Sequence, residues 1–275
     1  MRRSSLLLST RCYTRHHPSV LLSLPPHLLF VSKPSGMLSH PSSAVSSLPS
    51  PPSAAPSAAP SDPTLVDWAK AHVLSTRGTQ YANLVGRLDR PVSGVCVVAT
   101  SKKASRRLNA LQQLASASLS AHPGFQKSYL AIVRPAPANL SSLRSSLLEP
   151  TPHASSPPPS RKPSSLTYTP LHVHPPYALL SVALHTGRKH QIRSQLAEIR
   201  LPVASDPLYG PKKASKHPGA LPLHCYSVRL EHPVGQGEVI EGRASVPKWW
   251  LDRYPREIGE AAGRFVEAGV EPQEQ

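Results

Sequence analysis

The chain has 275 residues, enough for one large catalytic domain or two small ones. Lys and Arg number 31 against 15 Asp and Glu, a formal net charge of +16, which favours a polyanionic partner, nucleic acid before anionic membrane. No stretch of about 18 apolar residues occurs, so no spanning helix is expected, and Cys12, Cys96 and Cys225 lie too far apart to read as a zinc site or a disulfide framework.

The first acid is Asp62. Residues 1–25 carry Arg2, Arg3, Arg11 and Arg15 among Ser and Leu. Arg-rich, Ser-rich and acid-free, this segment is expected to be a mitochondrial transit peptide. The competing secretory signal is weakened because Leu6-Leu7-Leu8 is interrupted at once by Ser9, Thr10 and Arg11. A strand is expected from Leu28 to Ser32, with Lys33 at its end. Residues 42–63 are almost all Ser, Pro and Ala, too apolar-poor to bury a core, and read as an insert. Leu65, Trp68, Ala69 and Val73 recur at helical spacing behind Asp62 or Thr64 as N-cap.

Val95 to Ala99 has strand length. Ser101 to Ala115 reads as an amphipathic helix with Ala104, Leu108, Leu111 and Ala115 on one face. Lys102, Lys103, Arg106 and Arg107 crowd its first turns, where cations oppose the helix dipole. They read equally as a solvated face or as contacts to RNA phosphate. In Lys127 to Val133 the period of two puts Tyr129, Ala131 and Val133 on one face. Residues 135–166 are a second Pro/Ser-rich insert, with a short helix expected around Leu140 to Leu148. Tyr177 to Leu184 should be a strand, Arg188 to Ile199 a helix, Leu221 to Leu230 and Glu238 to Val246 strands, and Arg256 to Gly269 a short helix. This irregular alternation favours an α+β fold over a doubly wound sheet.

Two segments carry charge in turns: Gly86-Arg87-Leu88-Asp89-Arg90, followed by Ser93-Gly94, and Thr186-Gly187-Arg188-Lys189-His190-Gln191-Ile192-Arg193. The first sets a carboxylate between two arginines just before a strand. Alone, Asp89 reads as readily as a structural ion pair, and Arg193 has Glu198 and Asp206 as alternative partners.

With four further segments in order, these resemble the RluA-type pseudouridine synthases. The four are Phe30 to Met37, Lys127 to Val133, Asp206-Pro207-Leu208-Tyr209-Gly210 and Leu223-His224. The resemblance spans about residues 27–235. It implies the pseudouridine synthase fold, a mixed, mainly antiparallel sheet flanked by helices and loops, over a catalytic domain of residues 26–255 with a tail at 256–275. It makes Asp89 the catalytic aspartate, places Tyr129 in the active site and pairs Arg193 with Asp89. The implied isomerisation needs no redox step, metal or nucleotide cofactor. Lys33, Arg87, Arg90, Arg188 and Lys189 then become candidate RNA phosphate contacts. His190 is expected to support the site, and Asp206 to be structural.

The chain departs from the usual pattern at Gly86, where the family carries His, at Val92 for Thr, and at Lys189 for a small hydroxyl residue. Only about 26 residues precede the first expected strand, which leaves no room for the S4-type domain of many members. The resulting expectation is a monomeric enzyme of the mitochondrial matrix that modifies a uridine, first of all in large-subunit rRNA. The alternatives are a tRNA or mRNA pseudouridine synthase, or an RNA-binding ribosome assembly factor of weak activity. A glycoside hydrolase ranks last, because no second carboxylate has a comparable setting.

Overall fold

The structure is a computed structural model and describes residues 17–41, 63–118, 121–136, 140, 143–148, 163–211, 219–235 and 237–269. Most of the expected leader, nearly all of the first insert and the middle of the second lie outside these residues.

The chain opens with β1 (Ser19–Leu24) and β2 (Leu28–Lys33), then α1 (Leu65–Arg77). Next come β3 (Asn83–Val85), β4 (Ser93–Ala99) and α2 (Lys102–Ala117). β5 (Phe125–Val133), β6 (Ser146–Leu148), β7 (Leu166–His174) and β8 (Tyr177–Leu184) follow, then α3 (Gln191–Glu198). β9 (Leu223–Glu231), β10 (Val239–Arg243), α4 (Trp249–Arg253) and α5 (Arg256–Ala268) complete it.

Among the described residues the strands form one mixed sheet in the order β1-β2-β4-β9-β5-β8-β7-β6, with β3 also on β4 and β10 also on β9. Every pairing between these strands is antiparallel except β4 with β9, which is parallel and brief: Ser93 opposite His224 and Gly94 opposite Cys225. This seam divides the sheet into a β1-β2-β4-β3 part and a β10-β9-β5-β8-β7-β6 part. Gly94 is required there, because its φ is +119° and a Cβ would collide with the Cys225 backbone.

The alternation expected in β5 separates two cores. Tyr129, Ala131 and Val133 join the larger core, beneath α1, α2 and α3. Leu130 and Ile132 join a smaller core with Trp250 of α4 and with Ile258 and Ala262 of α5. Because helices cover both faces, β5 is buried from Tyr129 through Val133. Thr64 caps α1 in a reciprocal capping box with Asp67, and Gly78 ends the helix in the left-handed region. Ser101 caps α2, which buries Ala104, Ser105, Leu108 and Ala115.

Several expected boundaries shift. β1 lies within the expected leader of residues 1–25 and pairs with β2, so the sheet begins by Ser19. α5 lies within the expected tail and buries Ile258, Ala262 and Val266, so the fold extends through Ala268. The helix expected around Leu140 to Leu148 is instead strand β6 over its last three residues, paired with β7. β7 escapes sequence patterning because it carries Pro170. The sheet accepts that proline at a register shift between Pro170 and His172.

Candidate active site

The Asp89 segment is a turn clamped from one side by the loop after β2. Gly36 N–H donates to the Arg90 carbonyl at 2.7 Å, and Arg90 Nε returns a bond to the Gly36 carbonyl at 2.9 Å. Ser39 Oγ donates to the Leu88 carbonyl and accepts from Leu88 N–H. On the other side Val92 N–H closes onto the Asp89 carbonyl, and Leu221 N–H donates to the Pro91 carbonyl. The backbone that aims Asp89 is therefore hydrogen-bonded on both flanks, while 15 % of its side chain stays exposed.

Arg193 approaches from the opposite part of the sheet. The loop before α3 is pinned by Gln191, whose Oε1 accepts from Thr186 Oγ1 and Arg188 N–H, and whose Nε2 donates to the Ser165 carbonyl. His190 takes a left-handed φ of 56° without a side-chain cap, and α3 starts at Gln191. The helix is thus shorter than the expected Arg188 to Ile199, and Arg188, Lys189 and His190 sit on the loop ahead of it.

The guanidinium of Arg193 is buried and reaches two carboxylates. Nε and Nη2 form a fork on Asp206 at 2.6 and 2.9 Å, and Nη1 reaches Asp89 at 3.5 Å. The expected Arg193–Asp89 contact exists, but Asp206 is the closer partner. Asp206 also accepts from Leu208 and Tyr209 N–H. Burial raises its carboxyl pKa, yet the Arg193 bonds and these amides together hold it below the usual range. Burial works against the Arg193 charge, but hydrogen bonding and charge from Asp206, reinforced by Asp89, raise its pKa. Both groups are therefore fixed as ions.

His190 and Tyr209 complete the rim. His190 Nε2 lies 3.8 Å from Asp89 Oδ2, and its Nδ1 lies 3.2 Å from the Tyr209 hydroxyl. Burial lowers the imidazole pKa, with Arg193 and Lys189 adding to it and the Asp89 charge opposing it. The Tyr209 ring stands 5.2 Å from the Arg193 guanidinium carbon, a cation–π contact. The sequence alone assigns Tyr209 no role in the site. Its presence in the same short turn as Asp206 was the available signal.

Tyr129 is only 5 % exposed. Burial, then the charges of Cys225 and Cys96, push its hydroxyl pKa well above the ordinary value, with an Asp89 contribution. It keeps its proton at neutral pH, a buried hydroxyl rather than a phenolate. Lys33 does not serve as a phosphate contact. Its side chain is fully buried, and Nζ donates to the carbonyls of Pro34, Met37 and Arg90. It ties the end of β2 to the Asp89 turn. Burial lowers its pKa to about 8, with Cys96 and Asp89 opposing that shift. Arg87, Arg90 and Lys189 are exposed beside the turn and the loop, and half-buried Arg188 donates from Nε to the Pro163 carbonyl.

Among the described residues no cluster of three His, Cys, Asp or Glu could hold a metal ion.

The RNA pseudouridylate synthase family profile matches residues 27–198, which take in Asp89, Tyr129 and Arg193. An RNA pseudouridine synthase of Chloroflexus aurantiacus is 31 % identical over 206 residues, covering 74 % of this chain and 58 % of that protein. Ribosomal large subunit pseudouridine synthase D of Nitrosomonas europaea is 27 % identical, covering 80 % of this chain and 60 % of its own length. The chain thus spans somewhat under two thirds of the length of these curated relatives. The structure of human RNA pseudouridylate synthase domain containing 4 superposes with a TM-score of 0.61 at 17 % identity, over 84 % of this chain and 90 % of that one, so the fold is shared. The chain belongs to the RNA pseudouridylate synthase family, in its RluA type.

Proposed function

We propose that this protein isomerises a uridine in RNA to pseudouridine, with Asp89 as the catalytic carboxylate. One observation carries this reading: a partly exposed carboxylate on a doubly clamped turn, 3.5 Å from a buried guanidinium that a second carboxylate holds in place.

The isomerisation breaks the N1–C1′ bond and forms C5–C1′; C5 gives up a proton and N1 gains one. A carboxylate can attack C1′ or assist departure of the uracil, provided it is ionised and aimed. Arg193, held by Asp206, sets a fixed positive charge 3.5 Å from the Asp89 carboxylate and limits how it can turn. The uridine must leave its stack for Asp89 to reach C1′. The Tyr209 ring and the buried Tyr129 hydroxyl offer a face and a donor for the extruded base. Arg87, Arg90, Arg188 and Lys189 would meet flanking phosphates.

Mitochondrial large-subunit rRNA is the favoured substrate. Support comes from the Arg-rich, acid-free start of the chain and from a relative named for the ribosomal large subunit. A relative named tRNA pseudouridine synthase C, 28 % identical, supports tRNA as the next choice. The test is chemical mapping of pseudouridine in mitochondrial RNA incubated with the purified full chain and with Asp89→Asn. New pseudouridine should appear with the wild type only, its rate falling by on the order of a thousandfold or more in the variant. Equal product from both would remove Asp89 from the reaction. Modification confined to tRNA would overturn the rRNA assignment.

A further inference from the structure

The outer face of α2 has no role in the site described above. Lys102, Lys103, Arg106 and Arg107 are all exposed on its first two turns. The first turn contains no acid, and the sequence has no Asp or Glu between Asp89 and Glu149. Among the described residues none of these four cations forms an ion pair. Arg107 is oriented by donating from Nη1 to the Pro233 carbonyl at 2.7 Å. Lys103, Arg106, Arg107 and Ala110 line a hollow of about 330 Å³. Lys102 and Lys103 stand in the first turn, where a cation opposes the helix dipole, an opposition that a bound anion would reverse.

The same helix runs on to the active-site turn. Gln112 Nε2 lies 2.5 Å from where a Cβ on Gly86 would stand, three residues before Asp89. Lys103 and Gln112 are nine positions apart, about 13 Å along the axis and on opposite sides of the helix, so the basic face is distinct from the side that meets the turn. Lys103, Arg106 and Arg107 share one side of the helix at i, i+3 and i+4 spacing.

We propose that this face of α2 docks the phosphodiester backbone of the substrate RNA outside the target nucleotide, so that flanking RNA contributes affinity. The proposal rests on RNA being the substrate. It accounts for the hollow and the uncompensated charge.

The experiment uses the full chain, the double variant Lys103→Gln/Arg106→Gln and a control pair on α5, Arg256→Gln/Arg264→Gln, which removes equal charge elsewhere. All positions are exposed, and thermal melts confirm equal folding. A fluorescent uridine-containing hairpin is titrated across a salt series. The α2 pair should weaken binding roughly tenfold and make the log–log salt slope shallower by about 1.5, with the α5 pair unchanged. Equal weakening by both pairs, or an α2 pair that binds like wild type, would overturn the proposal. Pseudouridine mapping on the same preparations separates the two readings. Binding that depends on α2 without any modified uridine would sink the synthase reading alone. Normal modification with α2-independent binding would sink the docking face alone.

Discussion

Arg193 shares its guanidinium unequally, with two nitrogens on Asp206 and a third on Asp89 at 3.5 Å. Asp206 is therefore the anchor of the candidate catalytic pair, and the longer contact leaves Asp89 free to engage substrate. Asp206→Asn should strip a buried guanidinium of its charged partner and cost about 3–5 kcal/mol of stability. Turnover measured where the variant is still folded should drop by on the order of tenfold or more, because Arg193 can then swing fully onto Asp89. Urea unfolding and single-turnover rates check both parts. A change under about 1 kcal/mol would show that the fork is dispensable.

Gly86 and Gly94 both have positive φ, but different neighbours. An Ala at 86 meets the ends of two flexible side chains, Gln112 Nε2 at 2.5 Å and Lys127 Nζ at 2.7 Å. An Ala at 94 meets the Cys225 backbone across the parallel seam. Gly86→Ala should therefore cost about 1–2 kcal/mol and fold normally. Gly94→Ala should fail to give a stable protein. Comparable melting temperatures for the two would contradict this account of the seam.

Acid should destabilise the protein through His224. Its ring is buried, with Nδ1 2.9 Å from Ser93 Oγ and Nε2 3.3 Å from the Ala244 carbonyl. Burial lowers its pKa to about 4, against an ordinary 6.5. The folded state thus binds fewer protons than the unfolded state between these values. Its contribution is full above about pH 6.5 and is lost as pH falls toward 4, a loss of about 3 kcal/mol. His224→Gln should flatten the dependence of urea midpoint on pH between 7 and 4.5. An unchanged slope would assign the acid sensitivity elsewhere.

The leader prediction turns on β1. A chain beginning at His17 should match the full chain in stability. One beginning at Pro26 lacks β1, whose Leu21, Leu22 and Leu24 pack partly against the core, and should lose about 3 kcal/mol. If both truncations melt alike, the sheet does not need β1.

The fold was legible wherever burial imposes a period. β8 coincides with the expected Tyr177 to Leu184, and α1 and α2 carry their apolar residues at helical spacing behind hydroxyl caps. Legibility failed where a local rule is overridden by pairing. β7 contains Pro170, β3 has only three residues, and β1 hides in an Arg- and Ser-rich opening. In the site, Asp89 and Arg193 could be named from motif residues, and they do meet. The role of Lys33 could not, since a buried cation on carbonyls looks the same in sequence as a surface charge, whereas Asp206, expected to be structural and an alternative partner of Arg193, does form the fork. Tyr209 entered the site through the path of a turn, which carries no periodic signal.

The parallel seam also has a kinetic consequence. Asp89 leads into β4, whereas Arg193 follows β8, with 104 positions between them. Neither part of the sheet holds both charges, and only two residue pairs join β4 to β9. Contacts of such long sequence separation are slow to form during folding. The chain therefore acquires its candidate catalytic pair only once the two parts of the sheet have docked, so a fragment that contains one part alone lacks the pair.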